Sequence, residues 1–143
     1  MSDPFDLERF VASQNAMWPR VMAEMTTGRK QSHWIWFVFP QIAGLGSSFR
    51  SEHFAITGHA EALAYLAHPL LGPRLREITE LVLSIKNRNA HEIFGDPDDL
   101  KFRSSLTLFD AVSPGGIFAG ALDKYFNGER DDRTLSILRD MDE

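Results

Sequence analysis

Apolar residues recur three and four positions apart along almost the whole of this chain, and that spacing belongs to helices. The clearest stretch sets Leu75, Ile78, Val82 and Ile85 on one side, with Arg74, Arg76, Glu77 and Glu80 turned away. A helix with an apolar stripe must bury it against a neighbour, so a chain made of such stripes predicts helices packed on helices. Leu7, Phe10, Val11 and Gln14 begin the pattern, after an Asp3-Pro4-Phe5-Asp6 start signal in which Asp3 is the cap. Met17, Val21, Met22 and Met25 continue it to Thr26-Thr27-Gly28. Pro19 falls inside this stretch and predicts a break with a second helix start, because proline lacks the N–H that a helix interior needs.

Further along, Ser32 is placed to cap a short buried helix from His33 to Phe39, closed by Pro40. Residues 41–58 read as a Gly- and Ser-rich loop with one helical turn near Phe54 and Ile56. A helix from His59 to Leu66 stops at His68-Pro69, and the amphipathic stretch around Leu75–Ile85 follows. Ala90 to Phe94 form a brief turn. Asp96-Pro97-Asp98-Asp99 repeats the cap signature ahead of Leu100, Phe102, Leu106 and Phe109, and Ser113-Pro114-Gly115-Gly116 ends that helix. Ile117 to Phe126 form the next helix, ended by Asn127-Gly128, and Asp131 is placed to cap the last. The expectation is one compact all-α domain over residues 1–143, with about seven or eight helices.

The chain's 143 residues suffice for one genuine core. The net charge of -5 argues against a nucleic-acid partner, which would need a broad basic face, yet leaves room for a local basic pocket. With no cysteine, thiolate chemistry and sulfur-held zinc are excluded. His53, His59, His68 and His91 show no metal spacing, so no metal site is expected. No apolar run approaches the roughly 20 residues of a membrane span. The opening residues carry no apolar signal core either, so a cytoplasmic protein without a membrane partner is expected. No P-loop, nucleophile elbow or EF-hand loop is present, and no cofactor is named by the sequence.

Two polar constellations carry the functional expectation. Arg29, Lys30, His33 and Gln41 surround an aromatic run in which Trp34, Trp36, Phe37 and Phe39 fall within six residues. Aimed polar groups on an apolar lining are the composition of a small-molecule pocket. The second constellation is Lys101, Arg103, Ser104 and Ser105, a dense polar run in a helix otherwise rich in apolar residues. Asp98 and Asp99 ahead of it suit the positive end of a helix, and Asp99 stands four residues before Arg103, the favourable order for an ion pair. Between the two lies Gly44-Leu45-Gly46-Ser47-Ser48, which lacks the strand and the spacing of a phosphate-binding fingerprint.

At SHWIWFVFPQIAGLGSS and again at FGDPDDLKFRSSLTLF the chain closely resembles the family known as domain of unknown function 1810. The resemblance runs from DPFDLERF to LDKYFNGERDDRTL, essentially the whole length. It departs from the family pattern at Phe54, where tyrosine is expected, and at Phe102, where leucine is more usual; neither change removes a candidate polar group. The resemblance implies a small, soluble helical domain found mainly in bacteria. It implies no activity and hence no catalytic residues.

The resulting expectation is a pocket, formed where residues 29–48 meet the helix that starts at Asp96, for a small phosphorylated or nucleotide-like ligand that the protein binds or hydrolyses. Lys30, Lys101 and Arg103 would hold the anion, and Trp34 or Trp36 would pack on the apolar part. Gln41 and Ser105 would orient the ligand, and His33 or Asp98 would move a proton if chemistry occurs. Two alternatives stand beside it. One is a non-enzymatic interaction module that uses the aromatic segment 34–39, and the other is a purely structural motif. Oligomeric state is left open.

Overall fold

Asp3 caps the first helix from a distance. Its carboxylate accepts the Leu7 and Glu8 N–H groups at 2.8 and 3.0 Å, across a tight turn in which Asp6 takes a left-handed φ of 51°. The cap is the expected residue, but the helix begins four positions later than that signal alone suggests. Nine helices are present among residues 3–142, the part of the chain that this computed structural model describes. They are α1 (Glu8–Thr27), α2 (Ile35–Val38), α3 (Phe49–His53), α4 (His59–Ala67), α5 (Leu71–Leu83), α6 (Ala90–Phe94), α7 (Asp98–Val112), α8 (Ile117–Phe126) and α9 (Asp132–Asp142). The all-α expectation holds, and the helix count of seven or eight is corrected to nine.

Two local readings are also corrected. Pro19 does not break the chain: α1 runs unbroken for 20 residues. Pro19 and Asn15, whose carbonyl it deprives of a donor, both lie on the exposed side, where water can serve that carbonyl. The turn of helix placed near Phe54 and Ile56 forms earlier, as α3, because Ser48 accepts the Ser51 N–H and caps it there. Ile56 is instead extended. Its N–H donates to the Gln41 carbonyl and its carbonyl accepts from Ala43, a single parallel bridge to Ile42 that closes the neck of the loop.

One contiguous core joins the helices. Phe102 of α7 lies 4.9 Å from Phe39 and 4.4 Å from Phe94, ring centre to ring centre, so the aromatic run, α6 and the first half of α7 share one packed cluster. That cluster fixes the two sequence constellations beside one another. Phe10, Tyr65 and Phe109 form a second row of contacts linking α1, α4 and α7. Burial pushes the Tyr65 hydroxyl well above its ordinary range; Gln14, itself buried, donates to its oxygen. Gly72 in α5 has no room for a side chain, since a Cβ there would meet the Leu66 carbonyl oxygen at 2.1 Å. His68 both ends α4 and starts α5: its Nδ1 accepts the Leu70 and Leu71 N–H groups.

Candidate functional site

The first turns of α7 carry the polar run. Leu100 and Ser104 stand one turn apart, with Lys101 and Arg103 on either side of them, as helical periodicity requires. Leu100 is half exposed although apolar, and Phe102 on the opposite side is completely buried. Facing this surface are the 41–51 loop on one side and the start of α9 on the other. Between them lies a cleft of about 330 Å³, lined by Gln41, Lys101, Arg103, Ser104, Asp131 and Arg133 together with Leu45, Gly46, Ser51, Pro97 and Leu100. Asp131 caps α9 as its position in the sequence suggests, accepting the Thr134 hydroxyl, and its carboxylate also accepts the Ser104 hydroxyl at 2.7 Å. Burial raises the Asp131 pKa, but the Thr134 and Ser104 hydroxyls and the attraction of Arg103 outweigh it and hold the carboxyl below its ordinary range. It is therefore an ionised structural acceptor.

The candidate residues divide sharply. Gln41, Lys101 and Arg103 border the cleft together. Trp36 stands next to it: the Lys101 ammonium lies 4.8 Å and the Arg50 guanidinium 5.0 Å from the centre of its ring. Ser105 is buried one turn along α7 from Lys101. Lys30, by contrast, is turned inward with a side chain only 5% exposed. Its ammonium pairs with Asp98 at 2.6 Å and donates to the Ser32 carbonyl at 2.6 Å, so it is not on the cleft wall. Trp34 is completely buried and donates its indole N–H to Glu24. His33 is exposed and does not line this cleft, and Asp98 is engaged by Lys30 and, at 3.9 Å, by Lys101.

Some local expectations change with this placement. Ser32 does not cap α2, because its hydroxyl and N–H both bind Glu24, which also accepts from Gln31 and Trp34. Asp98 and Asp99 sit in the first turn of α7 as expected, but the N-cap position is Pro97, which makes no side-chain cap. Asp99 turns to its own Leu100 N–H and to His91 at 3.5 Å, and no Asp99–Arg103 ion pair forms among the described residues.

Buried polar side-chain atoms normally find a partner. Among the described residues three do not: Trp36 Nε1, Arg103 Nε and Ser105 Oγ. All three belong to residues singled out from the sequence: Arg103 lines this cleft, Trp36 stands beside it against Lys101, and Ser105 is buried next to Ser104 on α7. A family model described as a protein of unknown function, DUF1810, matches residues 4–138. The chain belongs to that family. A solved relative, a conserved hypothetical protein from Mycobacterium tuberculosis, is 50% identical to this DUF1810 chain, with a TM-score of 0.91 over 96% of this chain and 99% of its own. No curated protein matches.

A second depression in the DUF1810 fold, of about 450 Å³, is lined by Arg29, Lys30, Arg88, His91 and the 92–95 segment. Its polar groups are largely engaged: Lys30 by Asp98, Glu92 in a reciprocal cap with Asn89, and Arg88 against the Gly28 carbonyl at 3.5 Å. Among the described residues no group of three or more His, Cys, Asp or Glu side chains could hold a metal ion, and no helix is long and apolar enough to cross a membrane. Three features of the cleft escape the sequence reading. Arg133 and Asp131 come from the far end of the chain, and Arg50 comes from α3. Asp131 is legible as a cap, but nothing in the spacing joins residue 133 to residue 103; only the packing of α9 on α7 does.

Proposed function

We propose that this DUF1810 protein binds a small phosphorylated, nucleotide-like molecule in the cleft between the 41–51 loop, α7 and the start of α9. The observation that carries the reading is Arg103, whose buried Nε–H lacks an acceptor on the wall of a cleft that two further cations, Lys101 and Arg133, also line. Leaving a buried donor unmade costs roughly 1–3 kcal/mol, and a guanidinium that shifts toward an oxyanion in the cleft gains the missing acceptor. Trp36 supports the same reading. Its ring is partly exposed beside Lys101 and offers a flat apolar contact next to the cleft. Gln41, whose side chain has no hydrogen bond among the described residues, can orient the ligand. A volume of about 330 Å³ is at the small end of ligand pockets.

The reading is one of binding rather than turnover. Asp98 is held by Lys30, His33 stands outside the cleft, and Asp131 already accepts two hydroxyls. The test is a thermal-shift and calorimetric screen of wild type and Arg103→Gln against nucleoside monophosphates, sugar phosphates and inorganic phosphate. A ligand present at a hundred times its Kd stabilises the native state by about 2.7 kcal/mol, a shift of several degrees for a domain of this size. Stabilisation of wild type that is lost in a folded Arg103→Gln is the expected result. Equal responses, or none in either protein, overturn the proposal.

A further inference from the structure

We infer that the cleft selects a doubly charged oxyanion, the terminal phosphate of a phosphomonoester, over singly charged phosphodiesters, and that the Lys30–Asp98 ion pair sets this preference from outside the cleft. The inference rests on the binding reading above and specifies its ligand class. Three cations, Lys101, Arg103 and Arg133, face the cleft against one carboxylate, Asp131, which leaves a surplus of two positive charges. That surplus depends on Lys101 being available. Among the described residues Lys101 has one acidic neighbour within reach, Asp98, at 3.9 Å and on the same helix. Lys30, its side chain 5% exposed against 19% for Asp98, holds the other oxygen of that carboxylate at 2.6 Å, and its ammonium also sits over the Trp34 ring. A buried charge keeps its close partner, because separating the pair leaves both uncompensated. Asp98 is thereby neutralised from behind, and Lys101 is left resting on the Trp36 ring, facing the ligand space.

The surroundings reduce the surplus without reversing it. Arg50 adds a cation over Trp36, and Arg130 is tied to Asp110 at 3.1 Å. Glu129 and Asp132 border a neighbouring depression that shares Arg103, Asp131 and Arg133, and Asp132 is solvent-exposed. No histidine lines the cleft. The charge that changes near neutral pH is then the ligand's own, since a phosphomonoester takes up its second proton near pH 6 and a diester or sulfate does not.

The experiment compares adenosine 5′-monophosphate with its 5′-O-methyl diester by calorimetry on wild type, Lys101→Met and Lys30→Met. Inorganic phosphate and sulfate are titrated at pH 7.5 and 5.0. At pH 7.5 wild type is expected to hold the monoester about tenfold or more tighter than the diester. Phosphate binding should fall by at least tenfold by pH 5.0, because little of its dianion survives there, while sulfate binding stays level. Lys101→Met should bring monoester and diester within about threefold of each other. A folded Lys30→Met should do the same without touching the cleft, because Asp98 then turns on Lys101. If both nucleotides bind through Arg103 with equal affinity, or phosphate and sulfate share one pH profile, the selectivity is overturned while the binding site stands. If a folded Lys30→Met keeps the full preference, its indirect role is overturned. Should neither nucleotide nor phosphate bind wild type, the binding reading and this inference fall together.

Discussion

Glu24 collects more partners than any ligand candidate does. It accepts the Gln31 and Ser32 N–H groups, the Ser32 hydroxyl and the Trp34 indole, and so fixes the turn that leads into the aromatic run. Burial works to raise its pKa, but the hydrogen bonds from Ser32, Gln31 and Trp34 prevail and lower it to about 2. A carboxyl depressed in the folded state stabilises fully above its ordinary value and loses that contribution as the pH falls through the folded one. Wild-type stability should therefore decline between about pH 4.5 and pH 2 with a component that Glu24→Gln lacks. Denaturant midpoints of both proteins at pH 6.0, 4.0 and 3.0 measure this, with the variant less stable at pH 6.0 and flatter toward acid. The aromatic run was legible as an apolar segment, but the separate fates of Trp34 and Trp36 were not. A continuous run has no period, so only the acceptor on α1 decides which indole is buried.

Helices with a sustained stripe were legible from the sequence, and α5 is the clearest case. The shortest elements were not, since five residues of α3 show no stripe and depend on the Ser48 cap. Close approach between elements is equally invisible to periodicity. Gly72 lets α5 start against the end of α4, and Gly72→Ala should cost about 2–4 kcal/mol because the clash is with backbone that cannot swing away. Pro19→Ala should act in the opposite sense. It restores an N–H to the middle of an unbroken, exposed stretch of α1, and a gain on the order of 1 kcal/mol is expected. Urea unfolding followed by far-UV circular dichroism measures both changes. A Pro19→Ala variant less stable than wild type would show that α1 relies on the proline for its packing.

Across the whole molecule, a chain with a net charge of -5 gathers Lys101, Arg103 and Arg133 on one cleft and Arg50 beside it. The sequence told of Lys101 and Arg103 as a dense polar run, and the shared aromatic cluster of Phe39, Phe94 and Phe102 explains why that run meets residues 36–41. Arg133 was illegible because its meeting with Arg103 is a tertiary contact between α7 and α9. Attraction among partly exposed charges is screened by salt, so anion affinity should fall several-fold between about 0.05 and 0.5 M sodium chloride. Calorimetric titrations with inorganic phosphate at the two concentrations measure it, and salt-independent affinity would mean that the cations do not contact the ligand.

The neck of the 43–55 loop is fastened by two backbone hydrogen bonds, with Arg9 adding a brace from α1 to the His53 and Ala55 carbonyls. Neither tie involves a side chain of the loop's tip. Chain closed at its base can change in length at small entropic cost, since loop closure grows only with the logarithm of the residues spanned. The rim is in this sense a replaceable cassette on a fixed mount. Its length can change while the bundle and the α7 cations beneath stay as they are.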